Sequence, residues 1–440
     1  MMKPISMLAV GAMAAALVAA PAARATNLVI ATVDNAQMLE MQRLTPLFER
    51  AHPGIHVAWV TLSEHTLRNT VSTDIETGQG QFDIVTVGLY ETPLWARRGW
   101  LTPIEPDARY DVADLLPSIR AGLSYHGQLY AAPFYGESSM LMYRTDLLRK
   151  AGLQMPAQPR WSDVAALAAR LDDRRHGVYG ICLRGKAGWG ENMTLVSTIV
   201  NAYGGQWFDM DWHPRIDSAP WKKAVGLYVD LLRHYGPPDA AQMNYNANLA
   251  LFAQGKCAMW VGATVAGGFV SAPAFSRVAG KVGFAPAPVG VTARGSHWLW
   301  AWALAIPADI APAQRSAAQK FVNWATSRAY VESLAEREGW DLVPSGTRRS
   351  TYANPAFQAA APWAAVELAA IDSADPNAPT LPPSPYRGIQ FVSMPGFRVI
   401  GDQVGAAIRQ ALLGKLSVEQ ALAQGQYAAR HELLSGGYPP

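Results

Sequence analysis

Three glutamates lie in predicted turns beside glycine or aromatic residues, where their carboxylates could act on a ligand. Glu91 occurs in "GLYE", Glu137 in "FYGES" and Glu191 in "GWGEN". Glycoside hydrolases use carboxylates in pairs at defined separations, so a secreted carbohydrate-active hydrolase is one interpretation. Three glutamates in turns support it poorly, because any cleft that binds a sugar contains acids. A binding site without catalysis is the favoured interpretation.

Other catalytic chemistry has no recognisable motif in the chain. There is no G-x-S-x-G, no H-E-x-x-H, no P-loop, and no G-x-G-x-x-G between a strand and a helix. The nine histidines are scattered and form no cluster with metal-ligand spacing. We therefore expect a protein that is not an enzyme and that needs no cofactor or metal.

The first 25 residues have the composition of an export signal. Lys3 supplies a positive charge, residues 5–20 are apolar, and Ala25 ends a small-residue cleavage site. A transmembrane helix needs about 20 apolar residues, and Arg24 interrupts this run too early. We expect cleavage after Ala25 and export from the cytoplasm. A retained N-terminal anchor is the alternative.

The remaining length and composition indicate a globular protein of two domains. About 415 residues are too many for one core, half of the chain is hydrophobic, and 16% is charged. The net charge of +3, without a basic run interleaved with aromatic residues, argues against nucleic acid as a partner. Cys182 and Cys257 lack metal-ligand spacing, and either one disulfide or two buried thiols fits an exported chain.

Strands and helices alternate in the first part of the chain. Residues 27–33, 55–60 and 82–88 are predicted strands, and helical spacing of apolar residues fills both intervals between them. Such alternation is typical of a parallel, doubly wound sheet with helices on both faces. The pattern changes after residue 134, where 137–144 is a predicted strand that begins a second unit.

Several segments, in order along the chain, resemble the landmarks of a known family. They are "PFYGESSMLMYRTDLLRKAGLQMPAQPRWSDV", "FAQGKCAMWVGATVAG", "KVGFAPAPVG" and "WALAIPADIAPAQRSAAQKFVNWATS". In these segments the chain is similar to periplasmic solute-binding proteins of ABC sugar importers, the maltose-binding-like group. "VDNAQM", "GLYETPLWARRGW" and "YRGIQFVSMPGF" look most like the branch that binds sorbitol, mannitol and related polyols.

The resemblance implies an α/β protein of the Venus flytrap type, with two lobes joined by crossover segments and a doubly wound, mainly parallel sheet in each. By its landmarks, lobe one comprises residues 27–133 and 285–345, and lobe two comprises residues 136–284 and 350–440. It also implies capture of a sugar alcohol or small sugar in the periplasm by hinge closure. The expected partner is a membrane permease with a cytoplasmic ATPase, and the protein itself is expected to be a monomer.

Polar side chains that follow the first and third strands are the first candidates for contact with polyol hydroxyls, because ligands of such sheets bind beyond the carboxyl ends of the strands. "VDNAQ" offers Asn35 and Gln37 beside Asp34, and "GLYE" offers Tyr90 and Glu91. Amides and carboxylates can bond neighbouring hydroxyls, and every buried polar group needs a partner. Helix capping by Asp34 or Asn35 and a helix-dipole interaction of Glu91 are the alternatives.

The first crossover and the second lobe supply further candidates. Glu137 matches the position at which relatives often place a sugar-binding acid at the hinge; Tyr135 lies nearby, and a hinge salt bridge is the alternative. The others lie in glycine-rich loops, at strand ends and helix starts, or near the last landmark; they are Trp189, Glu191, Asn192, Trp207, Trp260, Thr264, Arg387, Phe397 and Arg398. Packing into a lobe core or pairing at the surface is the alternative for these residues.

Three tryptophans alternate in "GSHWLWAWALAIP", at positions 298, 300 and 302. In a strand they share one face, and in the resembling family this strand begins beside the cleft and ends in the core of lobe one. We therefore expect Trp298 and Trp300 at the cleft and Trp302 in the core. The total of 15 tryptophans favours carbohydrate over a non-sugar solute such as a peptide, a polyamine or a metal ion.

Overall fold

The computed structural model describes residues 25–436 of the 440-residue chain. The predicted export signal therefore lies outside the described residues, apart from Ala25 at its end. Within residues 25–436, no helix is both long and apolar enough to cross a membrane. Strands and helices alternate at the start of this part, as predicted, and helices dominate its last hundred residues.

The strands are β1 (Thr26–Val33), β2 (Ile55–Leu62), β3 (Ile84–Val87), β4 (Leu101–Thr102), β5 (Ser124–Tyr125), β6 (Gln128–Leu129), β7 (Ala131–Glu137), β8 (Ser139–Arg144), β9 (Met259–Ala263), β10 (Val282–Pro286) and β11 (Trp300–Pro307). The helices are α1 (Ala36–Ala51), α2 (Glu64–Thr77), α3 (Glu91–Arg97), α4 (Pro117–Gly122), α5 (Thr145–Lys150), α6 (Trp161–Leu171), α7 (Asn192–Ala202), α8 (Ala219–Tyr235), α9 (Tyr245–Ala253), α10 (Ala266–Ser271), α11 (Pro312–Ala325), α12 (Arg328–Glu338), α13 (Arg349–Ala353), α14 (Pro355–Ala360), α15 (Ala364–Ser373), α16 (Phe397–Leu412) and α17 (Val418–Ser435).

The larger sheet combines the amino-terminal strands with one strand from late in the chain. Its order is β2-β1-β3-β11-β4, and β7 also pairs with β11. β1 runs parallel to β2 and β3, as the alternation of strands and helices predicts. β11 runs antiparallel to β3, β4 and β7. The chain leaves the larger sheet at the end of β7 and returns to it at the start of β11, so these two strands run in opposite directions.

The smaller sheet corrects the expectation of a mainly parallel sheet in each lobe. Its order is β10-β8-β9, and both pairings are antiparallel. The predicted strand near 178–185 is reduced to three isolated bridges, of which Asp173–Val178 is antiparallel and Tyr179–Cys257 and Cys182–Trp260 are parallel. Parallel strands are usually joined by one crossover helix, whereas several helices separate β8 from β9 and leave the strand direction free. The α/β class itself holds.

Three segments cross between the two sheets. β7 continues through Ser138 into β8, residues 296–299 lead back into β11, and residues 345–348 run beside β7. β10 pairs with β8, which keeps residues 282–286 in the smaller sheet. We therefore propose that the return crossing lies at 296–299 rather than at 285, and we keep the other predicted lobe boundaries.

Two glycines allow the first and third crossing segments to touch backbone to backbone. A Cβ atom at Gly346 would lie 2.0 Å from the carbonyl oxygen of Gly136, and one at Gly136 would lie 2.1 Å from the carbonyl oxygen of Gly346. Gly346 also has a φ of +75°, which side chains other than glycine rarely adopt. Both positions therefore require glycine.

Cys182 and Cys257 form a disulfide, with their Cα atoms 5.9 Å apart. The bond fastens the segment that precedes Arg184 to the residues that lead into β9. Of the two states that the sequence left open, the structure has the bonded one.

Candidate ligand-binding site

A cavity lies between the two sheets, beside the crossing strands and beyond the carboxyl ends of β1 and β2. It contains about 750 Å³ of space free of protein atoms, including its opening to solvent. Its lining is Val33, Asp34, Asn35, Ser63, Glu64, Arg68, Tyr135, Glu137, Arg184, Trp189, Gly190, Glu191, Thr194, Asn244, Tyr245, Asn246, Trp300, Trp302 and Gln390. Six of the predicted site residues lie among these, namely Asn35, Tyr135, Glu137, Trp189, Glu191 and Trp300.

Asn35 both caps a helix and lines the cavity. Its side-chain oxygen accepts a hydrogen bond from the backbone N–H of Met38 at 3.0 Å, which satisfies a free amide at the start of α1. Its side-chain nitrogen donates to the hydroxyl of Tyr135 at 2.9 Å. The structure therefore has the helix cap that was the alternative, with Asn35 also in the cavity lining, and the cap fixes the orientation of the amide. Contact of Asn35 with a ligand stays a prediction.

The pairing of β7 with β11 brings four lining side chains together. Tyr135 is paired with Trp302, and Glu137 is paired with Trp300. Side chains two residues apart in a strand point to the same face, and directly paired residues on neighbouring strands are side by side. The two crossing strands therefore present two tryptophans, a tyrosine and a carboxylate to the cavity.

The tryptophan series differs from the prediction at its first residue. Trp298, expected at the cleft, is 1% exposed and is not part of the lining. Trp302 belongs to the hydrophobic core, as expected, and it also lines the cavity. β11 begins at Trp300, so the strand alternation that would give all three rings one direction does not include Trp298. The register of β11 against β7 shifts only after Trp302, so Trp300 and Trp302 still share a face.

Arg68, which the sequence did not single out, lies at the centre of the aromatic wall. Its guanidinium donates to a carboxylate oxygen of Glu91 at 2.6 Å and to one of Glu64 at 3.0 Å. The predicted ligand residue Glu91 thus binds Arg68, and its other oxygen accepts the backbone N–H of Gly88 at 3.1 Å. Glu91 is not part of the cavity lining, because α3 begins at this residue and turns its carboxylate towards α2.

The opposite wall comes from the second unit and carries a further carboxylate. One oxygen of Glu191 accepts a hydrogen bond from Lys186 at 3.2 Å, and within the described residues the other oxygen has no partner. Burial, followed by the nearby carboxylate of Glu64, raises the pKa of Glu191 to about 7. Arg184 lies on the same wall and donates to the carbonyl of Gly190 at 2.9 Å.

Glu137 lies where the first crossing segment meets the cavity. It is 7% exposed, and no group among residues 25–436 donates a hydrogen bond to its carboxylate. Burial raises the pKa of Glu137 to about 8, against the opposing effect of the Arg184 guanidinium. At neutral pH this group is therefore largely protonated and can both donate and accept hydrogen bonds.

Three predicted residues outside the cavity lie at contacts between the two proposed lobes or at their junction. The hydroxyl of Tyr90 donates to the carbonyl oxygens of Met394 at 2.8 Å and Pro395 at 3.1 Å. Arg398 donates to the side-chain oxygen of Asn69 at 2.7 Å. Arg387 lines a separate, mainly apolar cavity. The family segments that contain these three residues were expected at the cleft, but the three side chains do not line the cavity.

The other predicted residues lie outside the cavity lining, and Asn192, Trp207 and Phe397 have structural roles. Gln37 is buried in the first turn of α1, and a helix of 3.6 residues per turn directs it away from Asn35. The amide of Asn192 bonds the backbone of Gly188 and Gly405. The buried rings of Trp207 and Phe397 pack against each other, with centroids 5.0 Å apart.

Trp260 and Thr264 lie beneath the cavity and not in its lining. The ring of Trp260, which is fully buried, packs under Tyr245 with a centroid distance of 5.8 Å. The hydroxyl of Thr264 accepts the backbone N–H of Ser138 at 3.1 Å and so supports the first crossing segment. Thr264 directly follows β9, as predicted, but Trp260 is the second residue of this strand and does not lie at its carboxyl end. Both side chains are buried.

Several lining residues were missed by sequence reasoning. Ser63 and Glu64 follow β2, so the strand-end rule that selected Asn35 would also have found them. Asn244, Tyr245 and Asn246 form the start of α9, where Asn244 is the N-cap. Arg68, Arg184, Thr194 and Gln390 carry no local signal, because only the approach of the two sheets makes them neighbours. Trp302 could have been found from its alternation with Trp300 in β11.

The expectation of no metal cluster is not fully matched by the structure. In the part of the chain that is described, Asp209, Asp211 and His213 bring three potential ligand atoms within 4.8 Å of one another. None of them lines the cavity. Exposed acidic groups of this kind are common without an ion.

A cavity between two α/β units, lined by polar groups from both, defines a two-lobed binding protein. The chain belongs to the family of bacterial extracellular solute-binding proteins, whose family description matches residues 32–332. This membership confirms the resemblance and the α/β, two-lobed fold class. It also confirms that the protein binds a solute and is not an enzyme, and it implies a location outside the cytoplasm.

Individual relatives agree with this family. A mannitol-binding protein of Pseudomonas aeruginosa is 51% identical over 430 residues, which are 97% of this chain and 98% of that protein. The structure of an ABC transporter solute-binding protein from Agrobacterium vitis S4 with bound D-mannitol is 50% identical, has a TM-score of 0.93, and matches 94% of this chain and 100% of that one. A solute-binding protein from Agrobacterium radiobacter K84 in complex with ribitol is 25% identical, with a TM-score of 0.82 over 93% of this chain and 99% of that one.

Proposed function

We propose that this protein is the substrate-binding component of an ABC importer and that it captures mannitol or a closely related hexitol. The observation that carries the proposal is the cavity lined by carboxylates, amides and hydroxyls, in a chain half identical to a protein whose structure contains D-mannitol. A hexitol presents six hydroxyl groups and no charge. Protonated Glu137, with Asn35 and Tyr135, supplies both donors and acceptors for such a ligand.

The ligand-contacting residues that we propose come from both walls. Asn35, Tyr135, Glu137 and Trp300 belong to the larger sheet or its crossing strands, and Glu191 belongs to the opposite wall. The indole N–H of Trp300 is buried and has no partner among the described residues, so it is available to a ligand hydroxyl. A ligand held by both walls stabilises the closed arrangement by its differential affinity for it.

Delivery requires a membrane partner. We propose that the closed form docks on a permease that is driven by a cytoplasmic ATPase, and that the protein acts as a monomer in the periplasm after cleavage behind Ala25. Mass spectrometry of the secreted protein tests the cleavage position. A mature N-terminus at Thr26 is the expected result, and an intact Met1 would contradict cleavage.

Calorimetric titration of the purified protein with D-mannitol, sorbitol, ribitol, glucose and maltose tests the ligand assignment. We expect submillimolar binding of mannitol or sorbitol and weaker binding of the two sugars. Glu137→Ala should weaken this binding strongly, because it leaves ligand hydroxyls unpaired. Glu336→Ala, at an exposed glutamate of α12, is the matched control and should bind like the wild type. Absence of heat with every polyol would contradict the proposal.

A further inference from the structure

Arg68 is buried between two carboxylates and three tryptophan rings. Its side chain is 6% exposed, and its ion pairs with Glu64 and Glu91 hold the guanidinium in place. The central carbon of the guanidinium lies 4.1 Å from the ring centroid of Trp189 and 4.6 Å from those of Trp300 and Trp302. These distances are within the range of cation–π attraction.

The guanidinium therefore covers faces of aromatic rings that line the cavity. Five aromatic residues belong to the lining, namely Tyr135, Trp189, Tyr245, Trp300 and Trp302. Arg68 lies over three of them, and Arg184 lies over Tyr245 at 5.4 Å. An arginine guanidinium therefore lies against one face of four of the five rings.

This arrangement bears on the shape of the ligand. A pyranose ring presents a flat group of C–H bonds, which are attracted to the negative face of an open aromatic ring. A ring face covered by a guanidinium is closed to such a contact. An acyclic polyol has no flat face, and it needs hydrogen-bonding partners along its length, which Asn35, Tyr135 and Glu137 supply.

The opposite wall of the cavity packs closely against Arg68. A Cβ atom at Gly190 would lie 2.4 Å from a carboxylate oxygen of Glu64 and 3.1 Å from Nε of Arg68. Glycine at 190 therefore lets the second unit close directly over the Arg68–Glu64 ion pair. A ligand that entered with a bulky ring would have to displace this pair.

We infer that Arg68 is a specificity-determining residue, which excludes pyranoses by covering the faces of Trp189, Trp300 and Trp302 and so restricts the site to acyclic polyols. This inference rests on the proposed function. Loss of the guanidinium opens these faces, and the preference for acyclic over cyclic ligands falls.

The test compares D-mannitol with methyl α-D-mannopyranoside, in which the ring cannot open, by calorimetry. We expect the wild type to prefer mannitol by at least about 100-fold. In Arg68→Ala this ratio should fall by about tenfold or more. The guanidinium no longer covers the faces of three rings, so these faces become open to the C–H groups of the pyranoside. Arg98→Ala is the matched control: Arg98 lies 4.6 Å over the ring of Trp100, away from the cavity lining, and its loss should leave the ratio unchanged.

The ratio separates a specificity role from a structural one. Simple loosening of the site weakens both ligands alike, so an unchanged ratio in Arg68→Ala would overturn the inference. If Arg68→Ala does not fold, the same ratio is measured for Arg68→Lys, in which it should also fall. Lysine keeps the charge but lacks the planar group that covers several rings. Comparable wild-type binding of both ligands would also overturn it, while leaving the proposed function intact. Failure of the wild type to bind mannitol would instead contradict the proposed function.

Discussion

Gly88 lies directly against the indole of Trp300, so closely that a Cβ atom at Gly88 would be 1.8 Å from Cζ2 of the ring. Trp300 therefore reaches its place in the cavity wall only because position 88 has no side chain. We expect Gly88→Ala to push the indole into the cavity and to weaken mannitol binding by about tenfold or more. Gly226→Ala, in α8 with no atom within 4 Å of the added carbon, should leave the affinity unchanged. Equal affinities of the two variants in a calorimetric titration would contradict this prediction.

Tyr90 connects the two proposed lobes and does not line the cavity. Its hydroxyl donates to the carbonyl of Met394 at 2.8 Å, and Met394 belongs to the other proposed lobe, so we expect this bond to favour the closed form. Tyr90→Phe should destabilise the closed form and raise the dissociation constant for mannitol by about two- to tenfold, mainly through faster release. Stopped-flow fluorescence measures the release rate. The control Tyr427→Phe, at an exposed tyrosine of α17, should release ligand at the wild-type rate.

The glycine contact between the first and third crossing segments offers a matched pair of variants. Gly346 and Gly280 have nearly the same backbone, with φ of +75° and +74°, but a Cβ at Gly280 has no atom within 4 Å. Both alanine variants carry the cost of positive φ, and only Gly346→Ala forces apart two backbones. We expect Gly346→Ala to lower the free energy of unfolding by about 1–3 kcal/mol more than Gly280→Ala does. Equal urea midpoints for Gly346→Ala and Gly280→Ala would contradict this prediction, because the close contact between the two crossing segments would then not affect stability.

The raised pKa of Glu137 predicts how stability depends on pH. A glutamate in water has a pKa of about 4.5, against about 8 for Glu137 in the folded protein. Between these values the folded state binds a proton that the unfolded state releases, so its contribution to stability is full below pH 4.5 and is lost as the pH rises through 8. Glu191, with a pKa raised to about 7, contributes with the same sign.

Glu137→Gln should remove part of this pH dependence, because a neutral amide neither binds nor releases the proton. Urea unfolding of the ligand-free protein, from pH 5 to pH 8, should show a smaller loss of stability for Glu137→Gln than for the wild type. Glu336→Gln, at the exposed glutamate of α12, is the control and should follow the wild type. Parallel curves for all three proteins would show that the Glu137 carboxyl does not titrate as inferred.

The disulfide between Cys182 and Cys257 closes a long loop across the second unit, because the two cysteines are 75 positions apart in the sequence. In the double variant Cys182→Ser/Cys257→Ser, the free energy of unfolding should be about 2–4 kcal/mol lower than in the wild type, as measured by chemical denaturation. Reductant should lower the stability of the wild type to the same extent and leave the double variant unaffected. A wild type insensitive to complete reduction would contradict the predicted contribution.

Much of the fold was predictable from local pattern. The apolar runs near 27–33, 55–60 and 82–88 are strands, and the first of these pairs in parallel with both others, because helices of the right length separate them. The antiparallel smaller sheet was not predictable, since the direction of β9 depends on how several intervening helices pack. The site was predictable where it follows strand ends or a crossing segment, as at Asn35 and Glu137.

The sequence by itself determined the class of this protein, because apolar periodicity and ordered family segments are properties of the chain. Only the tertiary structure decided which polar and aromatic groups share a cavity. Arg68 comes from the middle of α2, Trp302 from β11 and Glu191 from the second unit, and no local pattern connects them. Tyr90 and Glu91 follow a strand end just as Asn35 does, yet they are turned to other partners. The physical reason is that the site is formed between two units, so its membership depends on how their surfaces meet.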